Sequence, residues 1–430
     1  MTTKEENDRL TQTDAGTPGG DLYRRYWQPV ALSSDLLADA PFPTKVLGEE
    51  LVLFRDANGE PGLIGMYCPH RCTDLSYGRV EDGGLRCLYH GWLMDKAGRC
   101  LDQPAEPEGS RYKDEIQHTA YPCIEKAGMI FAYMGPGAPP LFPKFHFFEA
   151  PDSQVWAMKM LHRCNTMQAL DGIIDPSHLA FLHYYNRETK DDQRSAAEIR
   201  AARNIIFNQP RITLDVERTR FGIRAYAERK AGEGKKHVNS TNFVFPNIAF
   251  IGGMGARQGQ GGYSVHWHVP IDDENHWRYD FYYQPSVPLD KESLIRNRAL
   301  EIDDNHMMIR RKENRYLQDR EEMKSFSFSG MGTFFSSHDV WAVETPGPIA
   351  DRRREHLAST DMGVAVMRRM FLHAMDGLAA GKEPPMVLHD DKDNDFRDIV
   401  VMGTVLDEAA DHRKLWADII GREDFHRCQV

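Results

Sequence analysis

Long apolar runs are missing from this 430-residue chain. No stretch could span a membrane, and the polar, acidic start MTTKEENDRLTQTDAGTPGG lacks the basic opening and apolar core of an export signal. Both absences lead us to expect a cytoplasmic protein. An excess of positive charge is missing too: the formal net charge of -11 disfavours nucleic acid or an anionic membrane as the main partner, while still allowing a local basic pocket. The cysteines, at 68, 72, 87, 100, 123, 164 and 428, are odd in number and show no paired framework, as expected in a reducing compartment. A nucleotide-binding fingerprint is lacking. The glycine cluster GGMGARQGQGG, Gly252 to Gly262, is flanked by strand-like segments, opens no helix and lacks the Gly-Lys-Ser/Thr ending of a phosphate cradle, so it reads as a loop. Repeats and low-complexity tracts are absent. What is present is 41% hydrophobic, 10% aromatic and 27% charged residues, enough for a substantial core, in a length that suggests about two or three domains.

Along the chain, residues 1–20 read as a tail, and DLYRRYWQPVALSSDLL as a short helix and strand leading into a first domain, 21–145. From about Lys45 to Met134 the pattern is of short strands with turn signals. KVLGEELVLFRDANGEPGLIG alternates apolar and polar residues around Asn58-Gly59, a hairpin signal. The segment MGPGAPPLFPKF, Met134 to Phe145, is rich in proline and glycine and marks a boundary. In the remainder, 146–430, NSTNFVFPNIAFIGG, GGYSVHWHVPID and HWRYDFYYQP suggest one antiparallel sheet, and RREHLASTDMGVAVMRRMFLHAMDGLAA reads as a helix. The fold class expected is α+β: a small all-β domain followed by an antiparallel sheet with helices against it.

Chemistry concentrates first in YCPHRCTDLSYGRVEDGGLRCLYHGW, Tyr67 to Trp92. Cys68-x-His70 and Cys87-x-x-His90 form two short boxes, each offering one thiolate and one imidazole. A structural zinc can use two cysteines and two histidines, but its usual spacing puts the cysteines in one box and the histidines in the other. The mixed pairing suits a [2Fe-2S] cluster with two cysteines on one iron and two histidines on the other, an arrangement that raises the reduction potential above that of an all-cysteine cluster.

CPHR and CLYHGW resemble the two halves of the Rieske iron-sulfur motif, which implies Cys68, His70, Cys87 and His90 as cluster ligands. In the respiratory Rieske proteins the boxes carry further cysteines joined in a disulfide. Tyr89 stands where the second box would have its extra cysteine, so Cys72 has no such partner and is expected to be a small buried residue near the cluster, without a ligand role. The resemblance is therefore to the low-potential Rieske ferredoxins and ring-hydroxylating oxygenases, and the length favours the latter.

A second motif follows in CNTMQALDGIIDPSHLAFLH, where Asp175-x-x-His178-x4-His183 places a carboxylate and two imidazoles within nine residues. Two histidines and a carboxylate on one face of an iron leave positions open for O2 and substrate. Read alone, Asp175-Pro176-Ser177 is also a good helix start, and isolated histidines are more often structural. The Rieske oxygenases, however, carry this spacing at this place in the chain. Their resemblance implies a mononuclear Fe(II) on His178, His183 and a carboxylate from far downstream. It also implies a helix-grip, START-like catalytic domain. Asp175 would not ligate; it would hydrogen-bond His178 and also His90 of a neighbouring subunit, which requires an oligomer. For the third ligand we select Asp339 in SSHDVWAVETPGPIADRRREHLASTD, with Glu344, Asp351 and Asp361 as competitors. Asp351 and Glu355 with their arginines read as a charged helix face with i,i+4 pairs.

The whole-chain pattern is most similar to the phthalate-dioxygenase-like branch. That implies homotrimers or stacked trimers of one subunit type, aromatic acids as substrates, O2, and hydroxylation or O-demethylation as the reaction. Electrons would come from NAD(P)H through a separate reductase with a flavin and an iron-sulfur centre, or through a ferredoxin and reductase. The rival reading is an electron-transfer or redox-sensing protein that keeps only the cluster. Arg200 and Arg203 are candidates to meet an anionic substrate, with surface arginines as the simpler alternative. His266 and His268 share a strand face and could line a second metal site, but at this spacing, with no nearby carboxylate in sequence, they read as structural or surface residues. Asn165, Gln168 and Asp171 recur every three residues and suggest a polar helical face leading to the iron.

Overall fold

The computed structural model describes residues 2–186, 205–252 and 262–421. Arg200, Arg203, Cys428 and all but the two ends of the Gly252–Gly262 cluster lie outside the described residues. Among the described residues no helix is long and apolar enough to cross a membrane.

The first 20 residues are not a tail. They form α1 (Lys4–Thr11), with a reciprocal capping box between Thr3 and Glu6, and the start of α2 (Pro18–Tyr23), capped by Thr17 with proline in its first turn. Composition masked these signals, because the helices are polar on the outside and anchor through few residues. Leu10 and Leu22 are buried, and Arg9 forms an ion pair with Asp376 far along the chain. Gly20 is required here: a Cβ would lie 1.9 Å from the Asp14 carbonyl oxygen.

The first unit is built of short antiparallel strands: β1 (Trp27–Leu32), β2 (Phe42–Val46), β3 (Glu49–Arg55), β4 (Pro61–Gly65), β5 (Arg79–Glu81), β6 (Gly84–Arg86), β7 (Leu93–Met94), β8 (Cys100–Asp102), β9 (Ala120–Tyr121), β10 (Cys123–Lys126) and β11 (Met129–Tyr133). They pair as β1-β11-β10, β2-β3-β4-β9 and β5-β6-β7-β8. The expected hairpin is β3-β4, turned by Asp56–Glu60 with Gly59 at φ +78°. A small core of Val52, Phe54, Ile64, Leu75, Leu85, Trp92 and Met94 encloses Cys68 and Cys87. The Pro/Gly-rich stretch up to Phe145 holds no helix or strand.

The larger unit is one antiparallel sheet of β12 (Val155–His162), β13 (Thr213–Arg218), β14 (Gly222–Lys230), β15 (Lys235–Val244), β16 (Ile248–Ile251), β17 (Tyr263–Pro270) and β18 (His276–Tyr283), in the order β12-β18-β17-β16-β15-β14-β13; β19 (Gly403–Asp407) pairs with β15. Alternation along β17 and β18 explains its two faces. Tyr263, Val265, Trp267, Val269, Tyr279, Phe281 and Tyr283 face a core shared with Phe131, Phe147 and Phe148 of the first unit. The opposite face carries His162, His266, His268, His276, Arg278 and Asp280. On that side lie α3 (Thr166–Ile173), α5 (Phe335–Glu344) and α6 (Met362–Ala379), whereas α4 (Lys291–Arg298) and α7 (His412–Ile420) sit on the periphery. This is the α+β arrangement expected, although of the segment expected as one terminal helix only Met362–Ala379 is a regular α-helix. Buried or half-buried ion pairs join the units, Lys159 to Asp35 at 2.6 Å and Lys45 to Asp272 at 2.9 Å.

Candidate metal centres

The two cysteine-histidine boxes fold into near-copies of one loop. In the first, the Cys72 amide donates to the Cys68 carbonyl (2.8 Å) and the Cys68 amide to Thr73 (2.9 Å). In the second, Gly91 donates to Cys87 (3.1 Å) and Cys87 to Trp92 (2.8 Å). Closing the turn needs a left-handed residue four places after each cysteine, supplied by Gly91 at φ +75° and by Cys72 at φ +55°. Cys72 therefore has a backbone task, and it is exposed, not buried as the sequence suggested.

The loops bring Cys68 and Cys87 together and set the rings of His70 and His90 4.5 Å apart. Burial pushes the Cys68 thiol up to about 11, an effect opposed by the amides of His70 and Arg71, which point at its sulfur. Those amides are the donors that a cluster-bound thiolate uses. His70 stacks on Trp92 at 4.5 Å and 9°, and Nδ1 of His90 is buried without a hydrogen-bond partner. Two buried thiols, amide donors to sulfur and an orphaned imidazole nitrogen are what a cluster with mixed ligation needs.

The second centre gathers residues from distant segments. His178 and His183 follow α3, and Asp339 sits inside α5; one ligand atom from each lies within 4.8 Å of the others. His183 Nε2 is 3.0 Å and His178 Nε2 3.9 Å from Asp339 Oδ1. Burial opposes ionisation of Asp339, but the two imidazoles and Arg278 outweigh it and hold its carboxyl far below the usual range. Burial likewise disfavours charge on His178, yet Asp175 and Asp339 raise its pKa above the ordinary value. Two carboxylates around two imidazoles favour positive charge here, and two histidines with one carboxylate fit an iron with open coordination positions.

The imidazoles are oriented from behind. His178 Nδ1 faces Asp175 Oδ2 at 3.6 Å, while Asp175 Oδ1 accepts from the Ser177 amide (2.7 Å) and hydroxyl (2.5 Å). The Asp-Pro-Ser stretch is thus an Asx turn after α3, not the helix start that was the alternative reading. His183 Nδ1 lies 3.1 Å from Nδ1 of His338, whose Nε2 is 3.3 Å from the Ser329 hydroxyl. Such bonding fixes which nitrogen of a ligand histidine bears its proton. Sequence reading missed His338, although it adjoins Asp339. It also missed Arg229 on β14, which donates to the Pro176 carbonyl at 2.9 Å and to Asn239 at 2.7 Å.

Asn165, Gln168 and Asp171 do not lead to the triad. Asn165 donates to the carbonyls of Thr11 and Asp273, Gln168 bonds Val343, Gly347 and Ala350, and Asp171 pairs with Arg352 and Arg368. They bolt α3 to the end of α1, the β17–β18 turn, α5 with the segment after it, and α6. Glu344 is buried and accepts from the Arg163 amide (2.8 Å) and the Tyr316 hydroxyl (3.1 Å). Asp351 caps a short 3-10 turn and pairs with Arg353, while Glu355 reaches Arg368, so the expected i,i+4 helix face does not form. Asp361 accepts from the Ala358 amide. His266 and His268 are inside the sheet's polar face, and the carboxylate missing from the local sequence comes from the next strand, Asp280, 3.8 Å from His266.

The chain matches the family model described as the Rieske [2Fe-2S] domain over residues 26–122, and that described as "LigXa C-terminal domain like" over residues 132–427. It is 35% identical over 400 residues to the phthalate 4,5-dioxygenase oxygenase subunit of Pseudomonas putida, covering 89% of this chain and 88% of that one. With the phenoxybenzoate dioxygenase alpha subunit of Ectopseudomonas oleovorans the figures are 32%, 90% and 88%. With the 5,5'-dehydrodivanillate O-demethylase oxygenase subunit of a Sphingobium they are 29%, 95% and 90%. Among solved structures, the terminal oxygenase of carbazole 1,9a-dioxygenase from Nocardioides aromaticivorans has the same fold, with a TM-score of 0.59 at 18% identity over 87% of this chain and 98% of that one. Dicamba monooxygenase gives 0.56 at 20% identity, over 84% and 99%.

Proposed function

The chain belongs to the Rieske oxygenases that share the LigXa-like C-terminal domain, and from that premise we propose that it is the cytoplasmic oxygenase component of a multicomponent system that hydroxylates or O-demethylates an aromatic acid. The observation that carries the reading is the convergence of His178, His183 and Asp339 downstream of an intact pair of cysteine-histidine boxes. When bound, a [2Fe-2S] cluster and a mononuclear iron supply one-electron transfer and O2 activation.

Cys68, Cys87, His70 and His90 would hold the cluster, and His178, His183 and Asp339 the iron. His90, its buried Nδ1 turned inward, keeps Nε2 for the partner subunit's Asp175, and Asp175 would span His178 and that second histidine. Two apolar patches suit a head-to-tail ring of subunits, a homotrimer or stacked trimers: Tyr67, Tyr77, Leu88 and Tyr89 are exposed beside the boxes, and Phe181, Tyr184 and Phe328 beside the triad. Electrons would arrive from a separate flavin and iron-sulfur reductase, or from a ferredoxin and reductase. The relatives' names share a carboxylate on an aromatic ring, as phthalate, phenoxybenzoate and dehydrodivanillate, which is the reason to assign an aromatic acid.

The test is a single turnover of chemically reduced protein with O2 and a panel of aromatic acids, with and without methoxy groups, read by mass spectrometry. Loss of a methyl group with formaldehyde identifies an O-demethylase, and gain of two oxygens a ring dioxygenase. No product from any acid, together with iron no higher than the cluster's two per chain, would return the protein to the class of electron carriers.

A further inference from the structure

The polar face of the large sheet holds a second convergence of imidazoles that shares no residue with the triad. His162 ends β12, His276 opens β18 as its register partner, and His268 lies on β17 beside them. Their exposures are 1%, 0% and 2%. Ring centroids are 4.7 Å apart for His162 and His276, 5.2 Å for His268 and His276, and 5.8 Å for His162 and His268, and one nitrogen of each lies within 4.8 Å of the others.

The hydrogen bonding around the three is incomplete in a specific way. His276 Nδ1 donates to the Cys164 carbonyl at 2.8 Å, which leaves its Nε2 lone pair directed at His268 Nδ1, 3.1 Å away. A ring that donates its other N–H to a backbone carbonyl is oriented as metal-bound histidines are. Both nitrogens of His162 and Nε2 of His268 are buried with no hydrogen-bond partner. Unsatisfied imidazole nitrogens inside a fold are costly; a neutral ring has one N–H and one lone pair, so His162 and His268 each leave a lone pair unmet beside His276, which calls for an occupant that accepts lone pairs. Burial holds all three imidazoles below their usual range, in the neutral, coordinating form. Arg278 acts on all three rings and is paired with Asp280 at 2.9 Å, and the Asp339 carboxylate also acts on His162.

We propose that His162, His268 and His276 bind a divalent transition ion of the zinc type, which ties β12, β17 and β18 to the chain entering α3. Three imidazoles form a known zinc donor set, with a fourth position left for water. Enclosure of the group makes this site structural, filled as the chain folds.

The experiment measures metals in the intact holoenzyme produced with added zinc and then dialysed against EDTA to remove loosely held ions. We expect one zinc per chain in addition to iron, with an X-ray absorption spectrum at the zinc edge showing imidazole nitrogens at about 2.0 Å and no sulfur. His268→Gln should lose the zinc and keep cluster absorption and iron. His266→Gln, on the same strand face, should keep it, as should Asp339→Asn, which excludes zinc misplaced at the iron centre. Zinc below a tenth of an equivalent, a shell without imidazole, or loss with Asp339→Asn overturns the proposal. Should His268→Gln fail to fold, the wild-type stoichiometry and absorption shell decide it alone.

Discussion

The cluster loops and the iron triad solve the same problem, holding a metal with histidines, by different means. The loops are made by the backbone: each cysteine is fixed by an amide-carbonyl pair inside its own turn, and all four donors come from residues 68–90. The triad is made by side chains from segments more than 150 residues apart, with Asp175 and His338 set behind its imidazoles. A centre built locally is robust to changes elsewhere, whereas one built at long range depends on everything that docks α3 against α5.

The largest effect expected from this difference is at Asp339. Asp339→Ala should abolish the mononuclear iron and all product while leaving the cluster spectrum unchanged; loss of the cluster as well would mean that the two centres are not independent. Asp175→Asn should break the link between them. Both metals should remain, with electron transfer from cluster to iron lost, and a normal single-turnover rate would remove the bridging role. Asp171→Ala tests the docking of α3. It would strand the buried Arg352, while Arg368 keeps Glu355, at about 3–5 kcal/mol of stability, seen as a lower denaturation midpoint of the large unit. Removing the support of His183 by His338→Phe should weaken iron binding about 10- to 100-fold, read by iron retention against a chelator, without touching the cluster.

The smallest effect belongs to Glu344→Gln, which should keep iron and activity. Burial raises the carboxyl's pKa above the unfolded value, despite Arg163 and Tyr316 beside it. The stability this group contributes is therefore present below the unfolded value and lost as pH rises through the folded one. The variant should gain on the wild type near neutrality and match it in acid. Loss of iron in this variant would instead make Glu344 a ligand and unseat Asp339.

How much of this could be read from the residues follows the same division. CPHR and CLYHGW display in order all four residues proposed as cluster donors, and Asp175-x-x-His178-x4-His183 displays two of the three triad residues, because short spacing maps onto short distance. Asp339 needed the resemblance, and His338 beside it carried no signal of its own, since only the packing of α5 turns it toward His183. Asn165, Gln168 and Asp171 misled for a related reason: helical periodicity shows that they share a face but not what that face meets. The N-terminal helices were hidden by their polarity, although Thr3-x-x-Glu6 and Thr17-Pro18 were legible capping signals.

By itself the sequence determined the fold class, the cysteine-histidine loops and the closeness of His178 to His183, since alternation, turn residues and close spacing act through the local backbone. Tertiary structure alone decided that Asp280 stands beside His266, that Arg229 holds the Pro176 turn, and that His162, His268 and His276 meet in the interior. The physical reason is strand register: residues on neighbouring strands become partners through ladder hydrogen bonds whose alignment is set by the packing of the whole sheet.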